Sequence, residues 1–387
     1  MKARKNKTSK FYVKLFEENL EENLREIQRE LESQTYEPTA LKKFIIRDPK
    51  TRVIRKSIFK DRIVHHAIVN VLEPIYEKIF IFDSYANRKT KGTLAALERF
   101  SSFKRRVTKN GKLISYAFDQ NSVIGYVFKA DIKHFFDSVD HNMILYLLGK
   151  KIRDKKVMSL IYKIIKNFDD PDKGMPLGNM TSQFFANVYL NCLDYFVKHH
   201  LKMKYYVRYV DDFVILHESK EKLEECKDKI AKYLRHLRIR LHPDKSKIFS
   251  LYKGVTLLGF KEFYLYRIAR KRNVKYFKKR FINLKIQYKE EEIGPTDFLN
   301  SLEGWFGYIM WGNTYNLRRE IARNFARFAF NNKMEIKRSL YHVAKLDVRL
   351  GGGAIEEIVE IVLYEIIIIT ILAGSQREKE NSFTNNL

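Results

Sequence analysis

The chain has 387 residues, with 74 Lys and Arg against 46 Asp and Glu, a formal net charge of +28. Forty-five per cent of the residues are hydrophobic and 14% aromatic, which excludes a disordered basic tail. The charge therefore sits on a folded body of roughly two or three subdomains, and points to a polyanionic partner, nucleic acid ahead of an anionic membrane. Cys192 and Cys226 stand apart from any other Cys or His cluster, which excludes a zinc ribbon or disulfide framework and suits a reducing interior. The basic start MKARKNKTSK is followed by no apolar stretch, so no signal peptide is expected.

In chain order, apolar residues at three- and four-residue steps predict a helix over 11–34. Extended segments follow at Phe44–Ile46 and Val53–Ile58, around a turn at Asp48-Pro49-Lys50. Residues 62–80 read as helix, 123–131 as an apolar strand ending on Asp131, and 142–167 as mainly helix. A helix over 181–200 opens after Gly178-Asn179. Next comes a hairpin pattern, YYVRYV-DD-FVILHE, then a helix over 219–236 and a second hairpin near Leu257–Phe260. From 275 to 335 the pattern is helical and very basic. The apolar run 361–373 is shorter than the roughly 20 residues of a membrane span and carries Glu365, so a buried helix or strand is expected there and no membrane partner. Strands and helices alternate without regular βαβ spacing, which predicts an α+β fold.

The strongest chemical signal is Tyr209-Val210-Asp211-Asp212, flanked on both sides by β-forming apolar residues. Two adjacent carboxylates in such a hairpin are expensive to bury uncompensated, and a divalent cation fits best. Asp131 closes another apolar strand 80 residues earlier. If the strands are neighbours, Asp131 and Asp211 converge and supply oxygen ligands suited to Mg²⁺, with Asp212 a neighbouring carboxylate.

The motifs resemble those of a reverse transcriptase, in the expected order. KADIKHFFDSVDH and YVDD resemble its palm. KDRIVHHAIVNVLEPIYE (60–77) and FIFDSYANRKTKGTLAAL (80–97) resemble its fingers blocks. GMPLGNMTSQFFANVYLNCLD (174–194), LHPDKSK (241–247) and LLGF (257–260) resemble the blocks around and after the catalytic hairpin. The resemblance implies a right-hand polymerase fold. Its parts would be an N-terminal helix with fingers over 1–120, a palm over 121–260 with a fingers insertion at 142–175, and a basic helical thumb over 261–345; residues 346–387 have no counterpart. It implies RNA-directed DNA synthesis with two Mg²⁺ ions (Mn²⁺ as a substitute) on Asp131, Asp211 and Asp212. It further implies a steric gate at Phe136 against the ribose 2′-OH and a triphosphate grip by Arg88. Arg52 and Lys56 are weaker candidates for that grip. Close backbone approach is implied at Leu177 and Gly178, with Gln183 just beyond. Lys245 would protonate the leaving pyrophosphate, with Lys247 as the alternative.

GNMTSQ, with DRIVHHAI and LEPIYE, is most similar to the reverse transcriptases of diversity-generating retroelements, which copy adenines with errors and work with a small basic accessory protein. Antiphage-defence reverse transcriptases, which work with a structured noncoding RNA, share much of the pattern, and a maturase-like RNA-binding scaffold is the reading of a different class. Partners implied are template RNA, a cDNA or primer strand and dNTPs, in a cytoplasmic setting in a bacterium, archaeon or phage-infected cell. Residues 261–285 hold ten Lys and Arg against one acid. Arg270, Lys271, Arg272, Lys275, Lys278, Lys279 and Arg280 are the expected contacts to a duplex backbone. The basic stretches 50–60 and 88–109 read as fingers loops.

Overall fold

The computed structural model describes residues 2–5, 7–47, 51–114, 123–332 and 334. The 48–50 turn, the apolar run 361–373 and the extension 346–387 lie outside the described residues. Two compact units divide the chain, Met1–Lys253 and Gly254–Leu387.

In the first unit the helical pattern over 11–34 is realised as α1 (Phe11–Glu18) and α2 (Leu20–Glu32). They part at Asn19, whose backbone leaves helical space at φ −121° and ψ 47°; asparagine competes with a helix for its own backbone groups. The extended segments pair as an antiparallel hairpin of β1 (Lys42–Ile46) and β2 (Arg52–Lys56). Then come α3 (Phe59–Glu77) and α4 (Thr93–Val107). The latter falls where cations suggested only a loop. Ala96, Leu97, Phe100, Phe103 and Val107 give it a buried face, and Lys104, Arg105 and Arg106 gather in its last turn, where the helix dipole favours cations.

Next are β3 (Tyr126–Asp131), α5 (Phe135–Ser138), α6 (His141–Gly149) and α7 (Lys155–Lys166). The pattern over 142–167 is two helices because Asp154 caps α7, accepting from the backbone N–H of Lys156 (2.8 Å) and Val157 (3.0 Å). α8 (Met180–Tyr195) runs into a π-helical turn at Phe196–His200. The unit closes with β4 (Tyr205–Tyr209), β5 (Asp212–His217), α9 (Lys220–His236) and β6 (Lys247–Ser250).

These strands form an antiparallel sheet in the order β4-β5-β3-β6. Its central strands bury Phe128, Ala130, Phe213 and Ile215 in a core shared with Val64 and Ile68 of α3, Leu147 of α6, Phe184 and Tyr189 of α8, and Ile230 of α9. Each fully buried side chain of this kind contributes about 1.5–3 kcal/mol, so the central strands are held firmly in register. The ends of β3 and β5 inherit that rigidity, and the carboxylates sit there.

The second unit opens with a three-stranded antiparallel sheet, β7 (Val255–Leu257), β8 (Phe260–Glu262) and β9 (Arg267–Ala269). Three helices follow, α10 (Lys271–Lys289), α11 (Pro295–Ile309) and α12 (Tyr315–Asn331). They pack through aromatic rings: Phe277 stacks on Trp305 with centroids 3.8 Å apart, and Phe298 meets Phe325 at 5.4 Å. Among the described residues no helix is long and apolar enough to cross a membrane. The architecture is the expected α+β mixture.

Candidate active site

The register of the sheet brings the carboxylates together. Asp131, the last residue of β3, lies directly opposite Asp212, the first residue of β5. Asp211 is one residue away, in a two-residue turn closed by the Tyr209–Asp212 pair. Burial first, then the charges of Asp212 and Asp131, push the Asp211 carboxyl up to about 6, with Lys245 opposing them. Repelling carboxylates held together by strand pairing are a cation-seeking arrangement.

The loop between α9 and β6 wraps the end of β3. His242 donates its backbone N–H to the Asp131 carbonyl at 2.7 Å, and Ser246 Oγ lies 3.3 Å from the same oxygen. This places Lys245 Nζ 3.0 Å from Asp131 Oδ2. The ammonium thus already neutralises one member of the triad.

Among the described residues no three His, Cys, Asp or Glu side chains are gathered into a ready metal cage. The fit to a cation rests instead on donor chemistry. Asp131, Asp211 and Asp212 offer only oxygen, which suits hard ions such as Mg²⁺ or Mn²⁺, and burial and neighbouring carboxylates raise the pKa of Asp211.

Other residues expected at the site are arranged as follows. Phe136 lies on the short α5 that follows β3, edge-on to Phe135 at 5.3 Å, and its carbonyl accepts the Met175 N–H at 2.7 Å. Leu177 accepts the Arg55 N–H at 2.9 Å through its carbonyl, which docks the β1–β2 hairpin on the loop before α8. Gly178 has φ 121°, and a Cβ there would stand 2.9 Å from Ile54 Cγ2, so backbone conformation and close approach both call for glycine. Gln183 is exposed although every other residue of α8 from Thr181 to Leu190 is buried. Its side chain leaves the core on the N-terminal turn of the helix that Gly178 introduces. Arg52 is exposed at the start of β2.

Arg88 is held internally. Its side chain is only 5% exposed. The guanidinium donates to the Glu77 carboxylate at 2.5–3.0 Å and to the carbonyls of Ile81 (2.6 Å) and Ser84 (2.8 Å). With these donors committed, Arg88 clamps the loop after α3.

Motif reading also missed Arg208, a fully buried cation beneath the Val210-Asp211 turn. A charged residue in the middle of the apolar run YYVRYV was the available signal.

In the second unit, Phe277, Phe281 and Leu284 face the core from α10. Lys271, Arg272, Lys275, Lys279 and Arg280 are exposed on it, as is Arg270 at its N-cap. Lys278 pairs with Glu320 at 2.7 Å, so its charge is partly committed within the unit.

The four-stranded antiparallel sheet sets Asp131 opposite Asp212, beside the turn that carries Asp211. Residues 42–262, more than half of the chain, match the reverse transcriptase (RNA-dependent DNA polymerase) family, and the chain belongs to that family. Protein YkfC of Escherichia coli K12 is 25% identical over 280 residues, covering 62% of this chain and 69% of YkfC. The group II intron-encoded protein LtrA of Lactococcus lactis subsp. cremoris is 30% identical over 181 residues, covering 44% of this chain and 27% of LtrA. The match therefore takes in about a quarter of LtrA. A telomerase from Candida albicans, solved with a TWJ fragment of telomeric RNA, aligns at TM-score 0.53 and 13% identity over 90% of this chain and 63% of the telomerase, less than two thirds of its length. The shared element is the right-hand polymerase fold.

Proposed function

We propose that the chain copies an RNA template into DNA, extending a primer with deoxynucleotides. The observation that carries this is the strand register that sets Asp131 opposite Asp212, with Asp211 in the adjoining turn. When bound to these oxygens, two Mg²⁺ ions, or Mn²⁺ in their place, would activate the primer 3′-hydroxyl and stabilise the leaving oxygen. The protein's own groups do the rest. Lys245, beside Asp131, holds a proton within the site for the departing pyrophosphate. Phe136 sits on the short helix that follows Asp131, where a bulky ring excludes a 2′-hydroxyl. Gly178 and Leu177 present backbone to the incoming base pair, and exposed Gln183 offers an amide beside them. Arg52 takes the phosphate role that the buried Arg88 does not serve. The exposed cations of α10 hold the template–primer backbone.

Error-prone synthesis of the diversity-generating kind is the finer reading. Its support is the LGNMTSQ block, in which Leu177 reads the nascent pair by shape with no side-chain amide of its own. A defence role with a noncoding RNA uses the same chemistry. Primer extension on an RNA template with Mg²⁺ and dNTPs tests the activity: incorporation is expected, and incorporation that survives Asp211→Ala with Asp212→Ala refutes the site. Sequencing the products tests the finer reading. Leu177→Gln should lower misincorporation opposite adenine, and an unchanged error spectrum refutes that assignment.

A further inference from the structure

The turn that carries Asp211 is strained. Val210 has φ 56°, a left-handed conformation that is a genuine outlier for a β-branched residue. Such a residue persists only where its surroundings over-determine it. Arg208 is the group that reaches it. Its guanidinium donates to the Val210 carbonyl at 3.1 Å. Behind that contact, the same guanidinium holds Asp194 Oδ1 (2.7 Å) and Oδ2 (2.6 Å) and Asn187 Oδ1 (3.1 Å). The Tyr206 hydroxyl donates to Asp194 Oδ1 at 2.7 Å. The side chains of Arg208 and Asp194 are both 0% exposed.

The network extends beyond the sheet. Asn187 Nδ2 donates to the Ala86 carbonyl at 2.9 Å. The Arg208 N–H donates to the Asp83 carbonyl, and the Arg208 carbonyl accepts from Tyr85, each at 2.9 Å. One residue thus ties α8, the 83–86 segment and the strained turn into a single hydrogen-bonded unit. A buried ion pair of this kind is weak evidence for stability, because well-packed apolar replacements are often neutral or stabilising. Its geometry has a different consequence.

We infer that Arg208 is a positioning residue for catalysis: it fixes the Val210 carbonyl, and with it the direction in which Asp211 and Asp212 leave the turn, while Asp194 and Asn187 aim its guanidinium. The inference rests on the polymerase reading. Without Arg208 the turn relaxes toward negative φ at Val210 and the two carboxylates shift together. Misplacement by about 1 Å costs on the order of 100-fold in rate.

The test compares the parent with Arg208→Met/Asp194→Leu, which removes both charges, and with Arg208→Lys, which keeps the charge and loses the fork. Melting temperature, kcat and KM for dNTP are read for each by primer extension on RNA. Both variants are expected to melt near the parent, with kcat down about 100-fold and KM unchanged. Glycine adopts left-handed φ freely, so adding Val210→Gly to either variant should recover about tenfold of that loss. Parental kcat in either folded variant overturns the inference, as does the absence of any rescue by Val210→Gly. If both variants melt below the assay temperature, the pair is a folding element and the positioning role is likewise overturned. A parent that shows no Asp211-dependent incorporation sinks the polymerase reading itself, a result distinct from all of these.

Discussion

A half-buried carboxylate and a buried imidazole respond to acid in opposite directions. Asp211 has a folded pKa of about 6, raised by burial and by its carboxylate neighbours. Its contribution to stability is therefore fully present below the unfolded value near 3.8 and is lost as pH rises through 6. His65, buried in α3 against the Thr181 hydroxyl at 3.0 Å, is pulled down to about 4 by burial, with His66 and Arg62 adding to the effect. Its contribution is present above the unfolded value near 6.5 and is lost as pH falls toward 4. Each shift is about 2 units, on the order of 3 kcal/mol, so the two nearly cancel across this window. Asp211→Asn should melt higher than the parent at pH 7 and lose that gain by pH 4. Mg²⁺ should stabilise the parent at pH 7 more than it stabilises Asp211→Asn. A melting profile of Asp211→Asn parallel to the parent at every pH refutes the burial argument.

Arg88 makes a second prediction at the same scale. Removing its side chain leaves Glu77 without its partner and deprives two carbonyls of their donors, a loss of about 2–4 kcal/mol. Arg88→Ala should therefore lower the urea midpoint clearly, while the folded enzyme keeps its KM for dNTP. A raised KM with parental stability would restore the phosphate-grip role.

At the scale of elements, the hairpin β1–β2 is docked on the loop that presents Leu177 and Gly178. The contact is close: a Cβ at Gly178 meets Ile54 Cγ2 at 2.9 Å and the Arg55 carbonyl at 3.4 Å. Gly178→Ala therefore combines left-handed strain of about 1–3 kcal/mol with displacement of the hairpin. The expected outcome is a lower melting temperature together with a several-fold rise in KM for dNTP; parental values for both refute the docking role.

The same elements show what sequence could and could not convey. The strand end bearing Asp131 and the turn bearing Asp211 were legible because alternating apolar residues, a turn dipeptide and carboxylates within apolar runs are all local signals. The breaks at Asn19 and at 150–154 were not, because apolar periodicity continues through a single residue that turns to cap or leave a helix. α4 was hidden by its cations, although its apolar spacing was present. Arg88 illustrates a deeper limit. An arginine in a basic loop looks the same whether it faces phosphate or a glutamate eleven positions earlier, and only the fold distinguishes them. Lys245 lies between these cases: its motif placed it near the site, but the ion pair with Asp131 depends on a loop wrapping a distant strand.

At the scale of the whole molecule, +28 is a statement about binding free energy and its salt dependence. Much of the positive charge in the first unit is internally answered: Arg55 and Lys43 share Asp169, Lys60 binds Glu26 and Glu30, and Arg99 and Lys198 share Asp83. The second unit differs, because α10 exposes a run of cations over a helix whose other face is aromatic core. That division predicts where duplex affinity resides. For contacts to a B-form duplex, each phosphate neutralised contributes about 0.9 to the slope of log K against log salt. Replacing Lys275, Lys279 and Arg280 with Ala should therefore reduce the slope by about 2–3. Anisotropy titrations of a labelled template–primer at several salt concentrations measure it directly. These side chains lie on the solvent face, away from the rings of Phe277 and Phe281, so folding and kcat at saturating primer should remain near parental values. A triple variant with parental slope would move the nucleic-acid track off α10.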